Sequence, residues 1–284
     1  METNNQILNI LYSEDYKSDR EKIKNWEKLT PLGKVLWFKF CDKGPDGEFS
    51  DTALKAHCTL PFYEEEKWEI TKHSGGKIIK PKDIEKFSAD LMTGWWIPFT
   101  KIFKLNKGKV ENGIMQKGFD SWFNDFKEAN SEILNNSKFM KRFNGFLDVV
   151  YTVGNTIPAP TSWKPGRGLD NFDYKLDCIR KAFDQNIEYG QTAIWAKYIN
   201  KYYIDAKGTW ENFIVSNYLK MYFDEDDTNF QKPKRFWENR PINSGASATL
   251  DDWTTYFKNV TACINKRNEE IQKALNTKKM KGDE

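Results

Sequence analysis

Histidine is almost absent from this sequence: His57 and His73 are the only two, and they stand far apart. The four cysteines, Cys41, Cys58, Cys178 and Cys263, are scattered and form no C-x-x-C pair. His57 and Cys58 are adjacent, a poor spacing for two ligands of one ion in a regular element. No structural zinc site is therefore expected, and reduced thiols are. No P-loop, dinucleotide-binding glycine motif, G-x-S-x-G or H-E-x-x-H occurs, so the familiar nucleotide, hydrolase and metalloprotease signatures are missing. No apolar run approaches bilayer length, which predicts no membrane partner. The N-terminal stretch METNNQILNILYSEDYKSDR lacks a basic start, an apolar core and a cleavage site, so a cytoplasmic location is the expectation. The net charge of +3 is spread over both halves of the chain, so no basic domain advertises nucleic acid.

What the chain does have is aromatic surface: 11 Trp, 12 Tyr and 20 Phe among 284 residues. Large rings spread along the chain bury enough area for a core and argue against disorder. Helical periodicity dominates. Thr30-Pro31 reads as an N-cap followed by proline at the first helical position, opening a helix with Val35, Leu36, Phe38 and Phe40. Gly44-Pro45-Asp46-Gly47 ends it as a turn. Phe119, Trp122, Phe123 and Phe126 fall at i, i+3, i+4 and i+7, and Phe139, Phe143, Phe146, Leu147 and Val150 repeat that stripe. Further helices are predicted over 170–184, 187–203, 209–223 and 250–275, followed by a polar tail expected to fray. Residues 67–80 read as a β-hairpin turning at Ser74-Gly75-Gly76. Residues 83–92 read as a short helix, and 91–105 as a further strand or a buried loop.

The fold class predicted is mainly α: a single multi-helix domain over 1–284 with a minor β excursion around residues 60–105. An α+β arrangement is the alternative. The one internal boundary that composition offers lies near 156–168. The helices on either side each carry an apolar stripe and need a common partner face, which favours one domain.

Residues 151–170, YTVGNTIPAPTSWKPGRGLD, hold three prolines and three glycines amid hydrogen-bonding and stacking groups. Irregular segments of this kind carry function on a scaffold. Two readings compete here. In one, Gly154-Asn155 is a helix stop with Asn155 bonding its own backbone, the prolines form an extended bridge, and Arg167 pairs with Asp170 or Asp173. In the other, Tyr151, Asn155, Trp163, Lys164 and Arg167 form a ligand-binding site. Its cations would meet a phosphate or carboxylate, and its rings would stack on an aromatic group. The partner would then be a nucleotide, a nucleic acid or a protein. Asp170, Asp173 and Asp177 supply an alternative acid/base set for a hydrolase of nucleic acid or nucleotides. A pure protein-interaction role, through aromatics such as Trp95, Trp96 or Phe99, is the third possibility; a buried wedge is the bland reading of those rings. Asp224-Glu225-Asp226-Asp227 is the densest acidic run; it reads as a solvated terminus neutralised by Lys232, Lys234 and Arg235. No cofactor is implied, no metal site is assigned, and the absence of a catalytic motif leans against an enzyme.

The pattern Y-T-V-G-N-x-x-P, with the Pro/Gly/Arg stretch and F-D-Y-x-L-D-x-I after it, resembles a family of uncharacterised bacterial proteins over about residues 140–184. That resemblance implies no activity. Gly154-Asn155 also resembles the x-G-N-L end of the HNH-type nuclease module in bacterial restriction and phage-defence proteins. There a D-H-I or E-H-I supplies the catalytic histidine; here His57 lies in ALKAHCTL and His73 in TKHSGG. The likeness implies a bacterial defence or mobile-element context and no nuclease chemistry.

Overall fold

The computed structural model describes residues 9, 21, 26–40, 69–71, 77–79, 86–160, 176, 179–180, 209–237 and 248–282. Helices dominate them. Helix α1 spans Pro31–Phe40, with Thr30 Oγ1 accepting the Gly33 N–H at 3.2 Å as the Thr-Pro start predicts. The hairpin is also present: β1 (Glu69–Thr71) pairs antiparallel with β2 (Lys77–Ile79).

Two expectations nearby are corrected. Residues 86–91 form strand β3 (Lys86–Leu91), not a helix, and β3 pairs antiparallel with both β2 and β4 (Thr156–Pro160). Sheet order is β1-β2-β3-β4, so β4 is an edge strand, where Pro158 and Pro160 are tolerated. Beyond Leu91 the chain forms a helix, α2 (Trp96–Ile102), where a strand or buried loop was expected. Pro98 falls in its first turn, where the missing N–H costs nothing.

A run of helices follows: α3 (Lys107–Lys117), α4 (Phe119–Ala129), the short α5 (Ser131–Leu134) and α6 (Ser137–Val149). Asn106 and Asn136 cap α3 and α6 by accepting the backbone N–H three residues on, at 2.9 and 3.1 Å. Gly118 joins α3 to α4 at φ 76°, a backbone angle that favours glycine. Helix α7 (Trp210–Ser216) stops earlier than periodicity suggests. Asn217 is buried, with its side chain bonded back to Phe213 O at 3.0 Å, and Tyr218 takes φ 54°. A 3-10 turn at Lys220–Tyr222 follows. Helix α8 (Leu250–Gly282) opens on a capping box in which Thr249 and Asp252 exchange backbone and side-chain bonds. It continues through most of the tail expected to fray.

The stripes meet where they should. Phe143 and Phe146 of α6 lie 4.9 and 5.1 Å, ring to ring, from Phe257 of α8. Phe103 bridges Phe126 of α4 and Phe143 of α6 at 5.1 and 6.2 Å. One hydrophobic cluster runs from Leu32 to Ile271 and includes Leu176 and Ile179. Helix α6 therefore packs between Phe103 and α8, and its C-terminal end delivers Tyr151 into the same cluster.

Candidate functional site

The α6 stripe carries straight into Tyr151, and a 3-10 turn at Val153–Asn155 then reverses the chain into β4. Every residue from Tyr151 to Ile157 is buried. Polar groups placed so deeply need partners, and they find them on α8, at the end of α6, within the turn and in the segment between β3 and α2.

Tyr151 packs edge-on against Phe38 of α1 at 5.1 Å, and its hydroxyl accepts the Trp95 indole N–H at 2.8 Å. Thr152 Oγ1 donates to Val149 O at 2.7 Å and accepts from Asn268 Nδ2 at 2.9 Å. The same Asn268 side chain accepts the Gly154 N–H at 2.8 Å. Gly154 is therefore pressed against α8: a Cβ there would sit 2.5 Å from Asn268 Oδ1 and 2.8 Å from Ile264 O. Asn155, at 0 % exposure, uses both amide hydrogens, on Thr93 O and Val150 O at 2.8 Å each. Its Oδ1 accepts the Thr93 N–H at 3.0 Å, and its backbone O accepts the Met92 N–H at 2.7 Å. Asn155 thus bonds back to the end of its own helix at Val150, as a helix stop does, and also fastens the turn to the segment between β3 and α2.

Beneath the turn lies Arg267 of α8, itself 0 % exposed. Its Nη1 donates to Gly154 O at 3.1 Å and Thr156 O at 2.7 Å, and its Nε to Asn217 O at 3.0 Å. One guanidinium therefore joins the turn, the start of β4 and the end of α7, a task for a planar fork and not for a lysine. Tyr222 adds a long contact, 3.5 Å, from its hydroxyl to Gly154 O. Burial pushes the Tyr222 hydroxyl well above the usual phenol range, with Arg267 opposing. Burial likewise pushes the Cys263 thiol up to about 11. Both groups stay protonated at neutral pH, so neither supplies a base or a nucleophile there.

Of the sequence-derived candidates, the structure brings Tyr151 and Asn155 together and turns both inward. Trp163, Lys164, Arg167, Asp170, Asp173 and Asp177 lie outside the described residues, as do both histidines, the Gly44–Gly47 turn, the hairpin tip and the 187–203 helix. Trp95 and Phe99 are buried, and Trp96 is half-buried and stacked on Phe99 at 5.2 Å, so the first two are core wedges. In the acidic run, Asp227 accepts the Gln231 and Lys232 N–H groups at 2.8 and 2.7 Å, and Asp224 lies 3.8 Å from Lys234. No group of three or more His, Cys, Asp or Glu among the described residues is placed to hold a metal. None of the described helices is long and apolar enough to cross a membrane.

Sequence reasoning missed Thr93, Arg267 and Asn268. For Arg267 a signal existed: Ile264, Arg267 and Ile271 fall at i, i+3 and i+7, so an arginine occupies the buried stripe of an amphipathic helix. No family model, curated protein or solved structure matches the chain.

Proposed function

We propose that the chain is a binding protein whose partner, anionic or aromatic-bearing, is met by Trp163, Lys164 and Arg167. Tyr151 and Asn155 act through the turn they fix and not by touching the ligand. The observation that supports this reading is the complete internal use of the Asn155 amide hydrogens and the clamping of Thr156 O by Arg267. The turn that precedes residues 163–167 is thereby tied to three places, the segment between β3 and α2, the end of α6, and α8, and a fixed start lowers the ordering cost of binding by the residues that follow. A guanidinium and an indole close in sequence suit a ligand with phosphate or carboxylate next to an aromatic ring.

A fluorescein-labelled single-stranded oligodeoxynucleotide carries both groups and serves as the probe. Fluorescence anisotropy should show saturable binding that is lost in the Trp163→Ala, Arg167→Ala double variant at unchanged thermal stability. A loss of stability equal to the loss of binding would assign these residues to the fold and reject the proposal. Turnover of the probe on adding Mg²⁺ or Mn²⁺ would replace it with the hydrolase reading through Asp170, Asp173 and Asp177.

A further inference from the structure

The even spread of charge over the two halves of the chain conceals one local excess. Residues 101–109, KIFKLNKGK, carry Lys101, Lys104, Lys107 and Lys109 and no acid, four positive charges against a net of +3 for the whole chain. Lys101 stands in the last turn of α2, Lys104 in the joint, and Lys107 and Lys109 in the first turn of α3. Lys101 is half-buried and the other three are exposed. Glu111 takes Lys107 at 3.4 Å. Lys101, Lys104 and Lys109 make no ion pair among the described residues.

The fold gains nothing from this placement, and three effects oppose it. Like charges repel across the joint. Lys107 and Lys109 sit at the positive end of the α3 dipole, in a first turn that holds no acid. Lys104 takes φ 51°, a backbone region that favours glycine or asparagine. The joint is nevertheless held firmly. Ile102, Phe103 and Val110 are buried, and the Phe103 ring lies 5.0 Å from Phe99 and 5.1 Å from Phe126. Asn106 fixes the start of α3 by accepting the Lys109 N–H at 2.9 Å. The cations are thus carried on fixed backbone and spread over two helix ends. With Phe103 buried, residues 101–109 offer no ring to stack on a base, and Leu105, half-buried, leaves little apolar surface to enter a lipid layer. Positive charge on a rigid joint, without stacking or apolar groups, matches a phosphodiester backbone contacted without regard to sequence.

We infer that residues 101–109 bind the phosphate backbone of double-stranded nucleic acid. The inference is independent of the 163–167 reading, which needs an unstacked aromatic group. Anisotropy of a fluorescein-labelled blunt DNA duplex at low ionic strength should show binding by the full chain that weakens as NaCl is added. Lys104→Gln, Lys107→Gln and Lys109→Gln together should weaken it about tenfold or more and lower the slope of log Kd against log [NaCl] by about 2–3. The control triple variant, Lys117→Gln, Lys138→Gln and Lys273→Gln, removes the same charge from exposed lysines already paired with Asp125, Asp251 and Glu270, and should change little. An unchanged urea midpoint confirms that both variants fold. Trp163→Ala with Arg167→Ala should bind the duplex as the unsubstituted chain does. Four results would overturn the inference. The first is no binding of the duplex at low ionic strength, and the second is equal weakening by both triple variants, which would assign the effect to net charge. The third is loss of duplex binding in the Trp163→Ala, Arg167→Ala variant, and the fourth is binding of anionic phospholipid vesicles where the duplex does not bind.

Discussion

Asn155 holds Thr93 by both backbone groups, accepting its N–H at 3.0 Å and donating to its C=O at 2.8 Å, across 62 residues of sequence. The pairing copies what a neighbouring strand would offer, at the point where β3 has ended and α2 has not begun. Replacing Asn155 with alanine strands the Thr93 N–H and the Thr93 and Val150 carbonyls in a dry interior. The expected cost is on the order of 3 kcal/mol, read as a lower urea midpoint at constant slope.

Gly154 and Asn268 should behave as a coupled pair. Gly154→Ala drives a methyl into Asn268 Oδ1 and Ile264 O, and should cost about 1–3 kcal/mol. Truncating Asn268 as well relieves the first clash but not the second, since the Ile264 oxygen belongs to the α8 backbone. The double-mutant cycle is therefore expected to be non-additive with only partial rescue.

Arg267→Lys tests whether charge or fork geometry matters. A lysine keeps the charge but cannot reach Gly154 O, Thr156 O and Asn217 O with one planar group. The substitution should cost about 2 kcal/mol or more in urea unfolding, well beyond an exposed Arg-to-Lys exchange.

The turn should also be sensitive to alkali. Burial raises the Cys263 thiol from 9.0 to about 11, and it displaces Tyr222 in the same direction. Both groups are neutral in the folded chain, and the unfolded chain gives up its protons first. The stability that Cys263 contributes is therefore fully present below 9.0 and is lost as pH rises towards about 11. The loss is on the order of 2–3 kcal/mol. Urea midpoints across that window should fall steeply, and Cys263→Ala should flatten the descent.

The parts of this fold legible in the sequence are those whose signal is local. The Phe119–Phe126 and Phe139–Val150 stripes, the Thr30-Pro31 start and the 67–80 hairpin each carry their own periodicity or turn chemistry. Lys86–Leu91 does not, because its strand identity comes from Thr156–Pro160, far along the chain. Trp96–Ile102 was hidden by β-favouring residues and a proline that belongs in a first turn. At the turn itself, the helix stop at Gly154-Asn155 was legible, but neither residue has a positive φ, and it is the close approach to α8 that requires the glycine. The turn's partners, Thr93 and Asn268, are ordinary polar residues until tertiary structure sets them in place, and the arginine beneath it is Arg267, from the last helix.

The account rests on Thr152–Thr156 being the fastening point of the fold, and amide hydrogen exchange of Met92, Thr93 and Gly154 tests it directly. Their N–H groups are held by Asn155 O, Asn155 Oδ1 and Asn268 Oδ1. The expected result is exchange only through global unfolding, at the same free energy as the core amides of α6. Exchange of these three through local opening, while α6 stays protected, would contradict it.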